Sequence, residues 1–305
     1  MAINQQSKRV LRDLADYRIL STSHIAHLYG RGRRSARGTM DSLCKRGYAE
    51  PLPGYSGENG GRPENVFGLS KAGHRLLIDE GVIPESVPYD AASGDALMKE
   101  IHHQMLLNST RIHLEFACRH LTHLECHFLA ANSPFTWNPD DGASIVREEV
   151  VLPENGRTKG LVPDAALLLK HRRSSEAVLF FLEVDMGSEP FTRSDNGQSN
   201  IHDKVERYKI YFRSGQYKTK YEARWSVPLR GFRTLFLAVD QGRARQLVNH
   251  LATQRPSGFC WVTDKDQMDE RGISGKIWLT GDNSEQPESI FDHYAADLPL
   301  PALRD

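Results

Sequence analysis

The segment FRTLFLAVD, residues 232–240, is apolar along most of its length, and it constrains the fold more than any other stretch. A strand with two apolar faces has to be covered by helices on both sides of its sheet. LVPDAALLLKHRR at 161–173 and SEAVLFFLEVD at 175–185 are further apolar strands, joined by a short polar turn that predicts a hairpin. These segments together predict a central sheet.

Helical periodicity alternates with these strands. Residues 97–121 predict a long helix, 200–212 a second and 241–254 a third, basic one. SIVREEVVLP, at 144–153, predicts the first strand, and GFCWVTD and GKIWLTG predict the last two. The order helix, three strands, helix, strand, helix, strand predicts an α/β (α+β) protein, with a mixed sheet flanked by helices.

The N-terminal 82 residues have a different pattern. QQSKRVLRDLAD, STSHIAHLYG and RRSARGTMDSLCKRGY predict three short helices, and Ser21 or Ser23 caps the second of them. The following residues predict a strand, a loop rich in Gly, Pro and Asn, a second strand and a closing helix. LCKRGYAEP and FGLSKAGHRLL in this order resemble the winged helix-turn-helix family, whose third helix enters the major groove.

Charge supports nucleic acid as the partner of this module. Residues 1–81 contain 13 Lys and Arg against 8 Asp and Glu, although the whole chain has a net charge of zero. Such local asymmetry is typical of a surface that binds phosphates. The candidate DNA contacts are Arg33, Arg34, Arg37, Thr39, Lys45 and, at the tip of the wing, Arg62. A winged helix that docks protein and leaves this basic face in solvent is the alternative.

We place the domain boundaries from composition. The winged helix-turn-helix covers 1–82, and a segment at 83–96 with Pro, Ser, Gly and acids but no periodicity is expected to be a linker. The sheet domain covers 97–282. Residues 283–305 form an acidic, Pro-rich tail, which is either disordered or lays Ile290, Phe291 and Tyr294 against a neighbour.

Acidic residues at strand ends carry the candidate chemistry. Pro163-Asp164 precedes one strand of the hairpin, and Glu183-Val184-Asp185 ends the other. Side chains two apart on a strand share a face, so Glu183 and Asp185 are expected to point the same way. Carboxylates at adjacent strand ends suit a hard divalent cation such as Mg²⁺.

These residues and the order of elements resemble the PD-(D/E)xK nuclease superfamily, which has the restriction-endonuclease-like fold. The resemblance implies metal ligation by Asp164, Glu183 and Asp185, with Mg²⁺ or Mn²⁺ as the cofactor. The lysine that follows the Glu by two residues in the common motif is missing here. Lys204, early on the next helix, is the candidate replacement, with Tyr208 one turn further on the same face; Asp185 is a further ligand or an anchor for Lys204. As a structural alternative, the lysine is an ordinary surface residue and the tyrosine a packing one.

PDAAL, LEVDMGSEP and the later Lys and Tyr, preceded by a winged helix, are also similar to the replication-relaxation family of plasmids and integrative elements. This closer resemblance implies a role on the DNA of a mobile element.

Further residues are candidates for the site. Glu115 or Glu149 could add a carboxylate, and His102 and His103 could lie near the acids. Tyr208, Tyr211 and Tyr217 are alternative candidates for a nucleophile. The cluster Cys118, His120, His123, Cys126 and His127 contains zinc-ligand types, but its spacing matches no closed zinc motif.

Hydropathy, cysteine content and the motifs present indicate the broad class of the protein. A mean hydropathy of −0.52 and the absence of a long apolar run predict a globular protein without a membrane partner. Four scattered cysteines predict reduced thiols and a cytoplasmic location. The sequence contains no P-loop motif, so no nucleotide cofactor is expected.

The sequence therefore predicts a Mg²⁺-dependent endonuclease or nickase acting on double-stranded DNA, with the winged helix selecting the site. A C2 homodimer is expected, since winged helices often read two half-sites. A non-catalytic replication or transcription regulator, with a degenerate nuclease fold used for dimerisation, is the competing interpretation.

Overall fold

The computed structural model describes residues 3–52, 65–92, 100–138, 140, 143–153, 155–174, 176–192, 200–283 and 285–291. Contacts divide the chain into two compact units. The first contains the described residues of Met1–Ile112 and Asn132–Ser144, and the second those of His113–Ala131 and Ile145–Leu300.

The first unit is a winged helix-turn-helix. Its elements are α1 (Gln5–Tyr17), β1 (Ile19–Ser21), α2 (Thr22–Leu28), α3 (Arg33–Lys45), β2 (Ala49–Pro51), β3 (Val66–Leu69) and α4 (Lys71–Asp79). The strands form an antiparallel sheet in the order β1-β3-β2. Side chains of Asn4, Ser21 and Ser70 accept from helix amides and begin α1, α2 and α4. The predicted three helices, two strands and closing helix of this part are confirmed, and the predicted loop between the strands lies outside the described residues.

The residues expected to form a linker pack into the first unit. Ile83 and Val87 are buried in the same apolar cluster as Leu11 and Met40. The carbonyl of Val87 contacts Nε2 of His74 at 3.0 Å. The described part of the segment, 83–92, is therefore folded; the remaining residues of the expected linker lie outside the described residues.

A long helix, α5 (Ile101–His120), begins in the first unit and continues into the second. Within the first unit, the Asn108 amide donates to the carbonyls of Tyr17 at 3.1 Å and Ile19 at 2.6 Å. These carbonyls flank Arg18, which has a φ of 66°. The hydrogen bonds stabilise a backbone conformation that residues with a Cβ rarely adopt.

The second unit is built on a mixed sheet. Its strands are β4 (Leu124–Ala130), β5 (Glu148–Val151), β6 (Thr158–Leu161), β7 (Ala165–His171), β8 (Ala177–Asp185), β9 (Phe232–Ala238), β10 (Cys260–Asp264) and β11 (Leu279–Thr280). Its further helices are α6 (Ile201–Ser214), α7 (Gln216–Trp225), α8 (Gln241–Ala252) and α9 (Lys265–Arg271).

Six of the described strands form the central sheet, in the order β11-β10-β9-β8-β7-β4. Strands β4, β7 and β8 are antiparallel neighbours, whereas β9 runs parallel to β8 and β10 parallel to β9. Along the chain, three antiparallel strands are followed by two helices and a parallel strand, so the predicted mixed sheet is confirmed. β8 lies inside the sheet, and its Phe180, Phe181 and Leu182 are fully buried.

One predicted strand is misplaced in the sequence interpretation. Glu148–Val151 pairs with Thr158–Leu161 in a separate two-stranded sheet. Leu124–Ala130 instead is the strand next to β7. Its middle residues are only half-buried, as expected of the edge of a sheet, so its apolar pattern was weak.

The start of the predicted tail is part of the second unit. Glu288 and Trp278 exchange two backbone hydrogen bonds, at 3.1 and 2.7 Å. Ile290 and Phe291 are buried within the chain itself rather than left for a neighbour. Tyr294 lies outside the described residues.

Two further features concern the helices and the cysteines. In the part of the chain that the structure describes, no helix has the length and apolarity required to cross a bilayer. All four cysteines lie among the described residues, and none of them forms a disulfide bond.

Candidate active site

The site is built around the carboxylate of Glu183, near the end of β8. The residue is only 4% exposed. Its Oε1 accepts a hydrogen bond from the Tyr208 hydroxyl at 2.5 Å, and its Oε2 accepts from Lys204 Nζ at 3.1 Å. Lys204 and Tyr208 are four residues apart on α6, so both point toward the strand. The structure thus brings together three residues that the sequence singled out.

Asp164 lies on the neighbouring chain segment, just before β7. Its backbone amide donates to the Leu182 carbonyl at 2.9 Å, which continues the pairing of β7 with β8. Its Oδ2 accepts from the Val184 amide at 2.7 Å. The Asp164 carboxylate is therefore held at the end of β8, beside Glu183.

Burial and charge shift the protonation of this cluster. Removal from water raises the pKa of Glu183 to about 7, and the Asp164 charge adds to the increase, while Lys204 opposes it. Burial disfavours the charged form of Lys204, but the carboxylates of Glu183 and Glu189 outweigh it and raise the pKa of the ammonium. Burial, and then the Glu183 charge, raise the pKa of Tyr208 well above its ordinary value. Lys204 is thus a cation at neutral pH, and Tyr208 is a neutral hydrogen-bond donor.

Asp185 does not join this cluster as expected. Its Oδ2 lies 3.0 Å from Nε and 2.9 Å from the second guanidinium nitrogen of Arg243, on α8. Its Oδ1 accepts from the Gly187 amide at 2.7 Å. Asp185 therefore anchors an arginine rather than Lys204. Period-two alternation places Glu183 and Asp185 on one face, but it does not decide which cation each side chain meets.

Glu189 contacts the site although the sequence interpretation did not select it. Its Oε2 lies 2.8 Å from Lys204 Nζ, which is shorter than the distance from Lys204 to Glu183. The acid was visible in the sequence, in the same FLEVDMGSEP stretch. Its contact depends on how the chain turns after β8, which the sequence pattern does not show.

The other weighed residues have different surroundings. Glu115 pairs with Arg119 one turn along α5, and Glu149 is exposed on the β5–β6 hairpin. Tyr211 donates to Glu148 at 2.6 Å, and Tyr217 donates to the Arg230 carbonyl. His102 is exposed on the first turn of α5, and His103 is half-buried beside it.

The site offers two carboxylates, not three, as ligands for a metal ion. The described residues contain no group of three or more His, Cys, Asp or Glu side chains that could hold a metal ion, and this includes the Cys118–His127 stretch. Mg²⁺ is often held by only one or two carboxylates, with waters and substrate phosphates completing its shell. Asp164 and Glu183 fit this requirement. The negative charge of Asp164 contributes to the raised pKa of Glu183, and a bound cation would offset that charge.

The predicted DNA contacts lie on or near α3. Arg33, Arg34, Arg37 and Lys45 are exposed. The hydroxyl of Thr39 donates to the Ser35 carbonyl in its own helix at 3.1 Å. Arg62 lies outside the described residues.

A mixed sheet flanked by helices, with a buried acid, a lysine and a tyrosine brought together where β8 ends, defines the fold class as α/β (α+β). The replication-relaxation family model matches residues 11–224, more than half of the chain, so the protein belongs to the replication-relaxation family. Asp164, Glu183 and Lys204 lie inside the matched range. No curated protein and no solved structure matches the chain. Family membership confirms the predicted resemblance and indicates a part in the replication or relaxation of plasmid or mobile-element DNA.

Proposed function

We propose that this protein cleaves one strand of double-stranded DNA, with Mg²⁺ or Mn²⁺ as cofactor. Its active site would consist of Asp164, Glu183 and Lys204. The observation that carries the proposal is the contact of Lys204 and Tyr208 with one buried carboxylate, beside a second carboxylate on the adjacent strand. A lysine and two strand-end acids suit metal-assisted cleavage of a phosphodiester.

Each residue has a role that follows from its contacts. Asp164 and Glu183 would hold the divalent ion, which would stabilise the negative charge developing on the scissile phosphate. Lys204 keeps its positive charge inside the site and would face the phosphate or the attacking water. Tyr208 fixes Oε1 of Glu183 by its 2.5 Å hydrogen bond, and so keeps the carboxylate in one orientation. Tyr208 is a supporting residue in this mechanism and not a nucleophile.

The winged helix-turn-helix would select the DNA in this proposal. Exposed arginines on α3 supply phosphate contacts, and the same helix offers side chains to base edges. A homodimer would read two half-sites in the same way.

Cleavage is tested on supercoiled plasmid carrying the element's own origin or transfer region, incubated with Mg²⁺ or Mn²⁺. We expect nicked circles with the wild type, and a loss of at least 100-fold in rate with Asp164→Ala, Glu183→Gln and Lys204→Met. Glu148→Gln is the matched control, because Glu148 is also buried and also accepts from a lysine and two tyrosines, but on β5. If all variants and the wild type leave the plasmid equally intact, the proposal is wrong.

A DNA-binding regulator is the second candidate, and the engagement of Asp185 with Arg243 favours it, because that ion pair leaves two carboxylates at the site instead of three. A wild type that binds the origin with high affinity but leaves it uncut with either metal would support the regulator.

A further inference from the structure

The chain turns back toward its own active site directly after β8. Asp185 holds the start of this turn, because its Oδ1 accepts from the Gly187 amide at 2.7 Å. Gly187 has a φ of 80°, a conformation that a residue with a side chain rarely adopts. The turn begins a short segment, residues 186–191, that includes Glu189.

Arg243 fastens the middle of the 186–191 segment. Its guanidinium binds Asp185 and also donates to the Glu189 carbonyl at 2.6 Å. The same group lies 4.2 Å from the centre of the Phe191 ring. Arg243 is only 9% exposed, so its positive charge is largely removed from water. These contacts offset the cost of that desolvation. A planar fork with several donors suits such a junction.

The first turn of α6 fastens the end of the segment. The amides of Ile201 and His202 each donate at 3.0 Å, to the carbonyls of Pro190 and Phe191. Amides in the first turn of a helix have no partner within that helix, so the segment satisfies them. Lys204 is on the same turn, three residues after Ile201. The Glu189 carboxylate consequently reaches Lys204 Nζ at 2.8 Å.

We propose that Glu189 is a positioning residue for Lys204, and that the Asp185–Arg243 ion pair presents it. Lysine has a flexible four-carbon stem, and a single carboxylate would leave its ammonium free to swing. Glu183 at 3.1 Å and Glu189 at 2.8 Å hold the ammonium between them. The second acid of the Glu-x-Asp motif thus acts through Arg243 and the 186–191 segment, and not on the metal. The catalytic consequence rests on the cleavage function proposed above.

The test combines a rate with a readout that needs no activity. In ¹⁵N-lysine-labelled full-length protein, the ammonium correlation of Lys204 is assigned by its loss in Lys204→Arg. We expect Glu189→Gln and Arg243→Lys each to shift or broaden this correlation. We also expect each to lower kcat for plasmid nicking by about tenfold or more, with KM changed less than about threefold, as for an interaction that acts in the transition state.

Glu206→Gln is the matched control. Glu206 pairs with the buried Lys209 at 2.7 Å on the same helix, so this variant removes an equivalent acid from an equivalent pair. It should shift the Lys209 correlation only and leave the rate unchanged.

The outcomes separate the two proposals. If Glu189→Gln leaves both the Lys204 correlation and kcat as in the wild type, the positioning role is overturned. If Glu189→Gln has its effect but Arg243→Lys has none, the part assigned to the ion pair is overturned. If the correlation responds as expected but the wild type cleaves nothing, positioning of Lys204 stands and the cleavage function fails.

Discussion

The first unit strongly disfavours the protonation of His24. It is buried, its Nδ1 accepts from the Ser21 amide, and its Nε2 lies 3.0 Å from the Ser109 hydroxyl. Burial, helped by the nearby His27, lowers the pKa of His24 to about 3. A proton on Nδ1 would prevent this atom from accepting the hydrogen bond of the Ser21 amide, which is part of the N-terminal cap of α2.

We therefore predict that acid weakens the first unit through His24. The unfolded histidine takes up a proton near pH 6.5, whereas the folded one stays neutral until about pH 3. Stability from this residue is present above pH 6.5 and is lost as the pH falls toward 3. Between pH 7.5 and 5 we expect a loss of roughly 2 kcal/mol in the free energy of unfolding.

Urea unfolding at several pH values, followed by circular dichroism, measures this loss. His24→Gln removes the titrating group but keeps an amide that can hydrogen bond. Its free energy of unfolding should change less between pH 7.5 and 5 than that of the wild type. Parallel pH profiles for the two proteins would contradict the assignment to His24.

Single residues also show how much of the site the sequence could supply. The spacing of Lys204 and Tyr208 sufficed to place both side chains on one helical face, and the structure shows them on one carboxylate. Asp185 and Arg243 are 58 residues apart, and no periodic pattern connects them. Contacts within one element follow from its geometry, whereas contacts between distant elements depend on the assembled fold.

At the scale of elements, β3 packs closely against the segment that the sequence suggested was a linker. An ideal Cβ on Gly68 would lie 2.1 Å from the Cβ of Ala92. Real Cβ atoms do not approach so closely, so glycine at this position permits the contact. The contact belongs to the packing that makes residues 83–92 part of the first unit.

We predict that Gly68→Ala destabilises the first unit by about 1–3 kcal/mol, because the new methyl group must displace Ala92 or strain β3. Gly38→Ala is the control, since a Cβ on Gly38, within α3, meets nothing within 4 Å. Alanine there should be neutral or stabilising by up to ~1 kcal/mol. The midpoints of urea unfolding of the two variants are compared, and we expect a lower midpoint for Gly68→Ala. Equal midpoints would show that position 68 tolerates a side chain.

Elements differed in how well the sequence foretold them. The buried strands β7, β8 and β9 were predicted because each is a long apolar run. The hairpin strand β5 was mistaken for a core strand because its alternate residues are buried, as in an edge strand of the main sheet. Helices α7 and α9 were not predicted. Each has few buried residues and so a weak helical stripe.

For the whole molecule, the order of elements along the chain predicted the fold class, and the resemblance of PDAAL and LEVDMGSEP to the replication-relaxation family predicted the family. Placement of the 83–92 segment and of Ile290 and Phe291 depended on contacts across a unit, which neither composition nor periodicity records. A segment that is rich in Pro and acidic residues and has few apolar ones resembles a linker or a tail in sequence. It can still be folded when those few apolar residues are buried in a core.

DNA binding is the property of the whole chain that the proposed function makes most testable. Each phosphate contact contributes about −0.9 to the slope of log K against log salt concentration. We expect Arg33→Gln combined with Arg34→Gln to reduce the magnitude of the slope by about 2, and to weaken binding about tenfold or more at physiological salt. Fluorescence anisotropy with a labelled origin duplex, titrated at four salt concentrations in EDTA, gives both numbers.

The control must remove the same charge from elsewhere. Arg75 on α4 and Arg119 on α5 are exposed and pair with acids one turn away, so Arg75→Gln combined with Arg119→Gln matches the change in net charge. If phosphates meet α3, only the first double variant flattens the slope, because the slope counts the phosphates that the removed cations neutralise. Equal effects from both double variants would mean that the loss of any two arginines weakens DNA binding alike, and that α3 has no special part in binding.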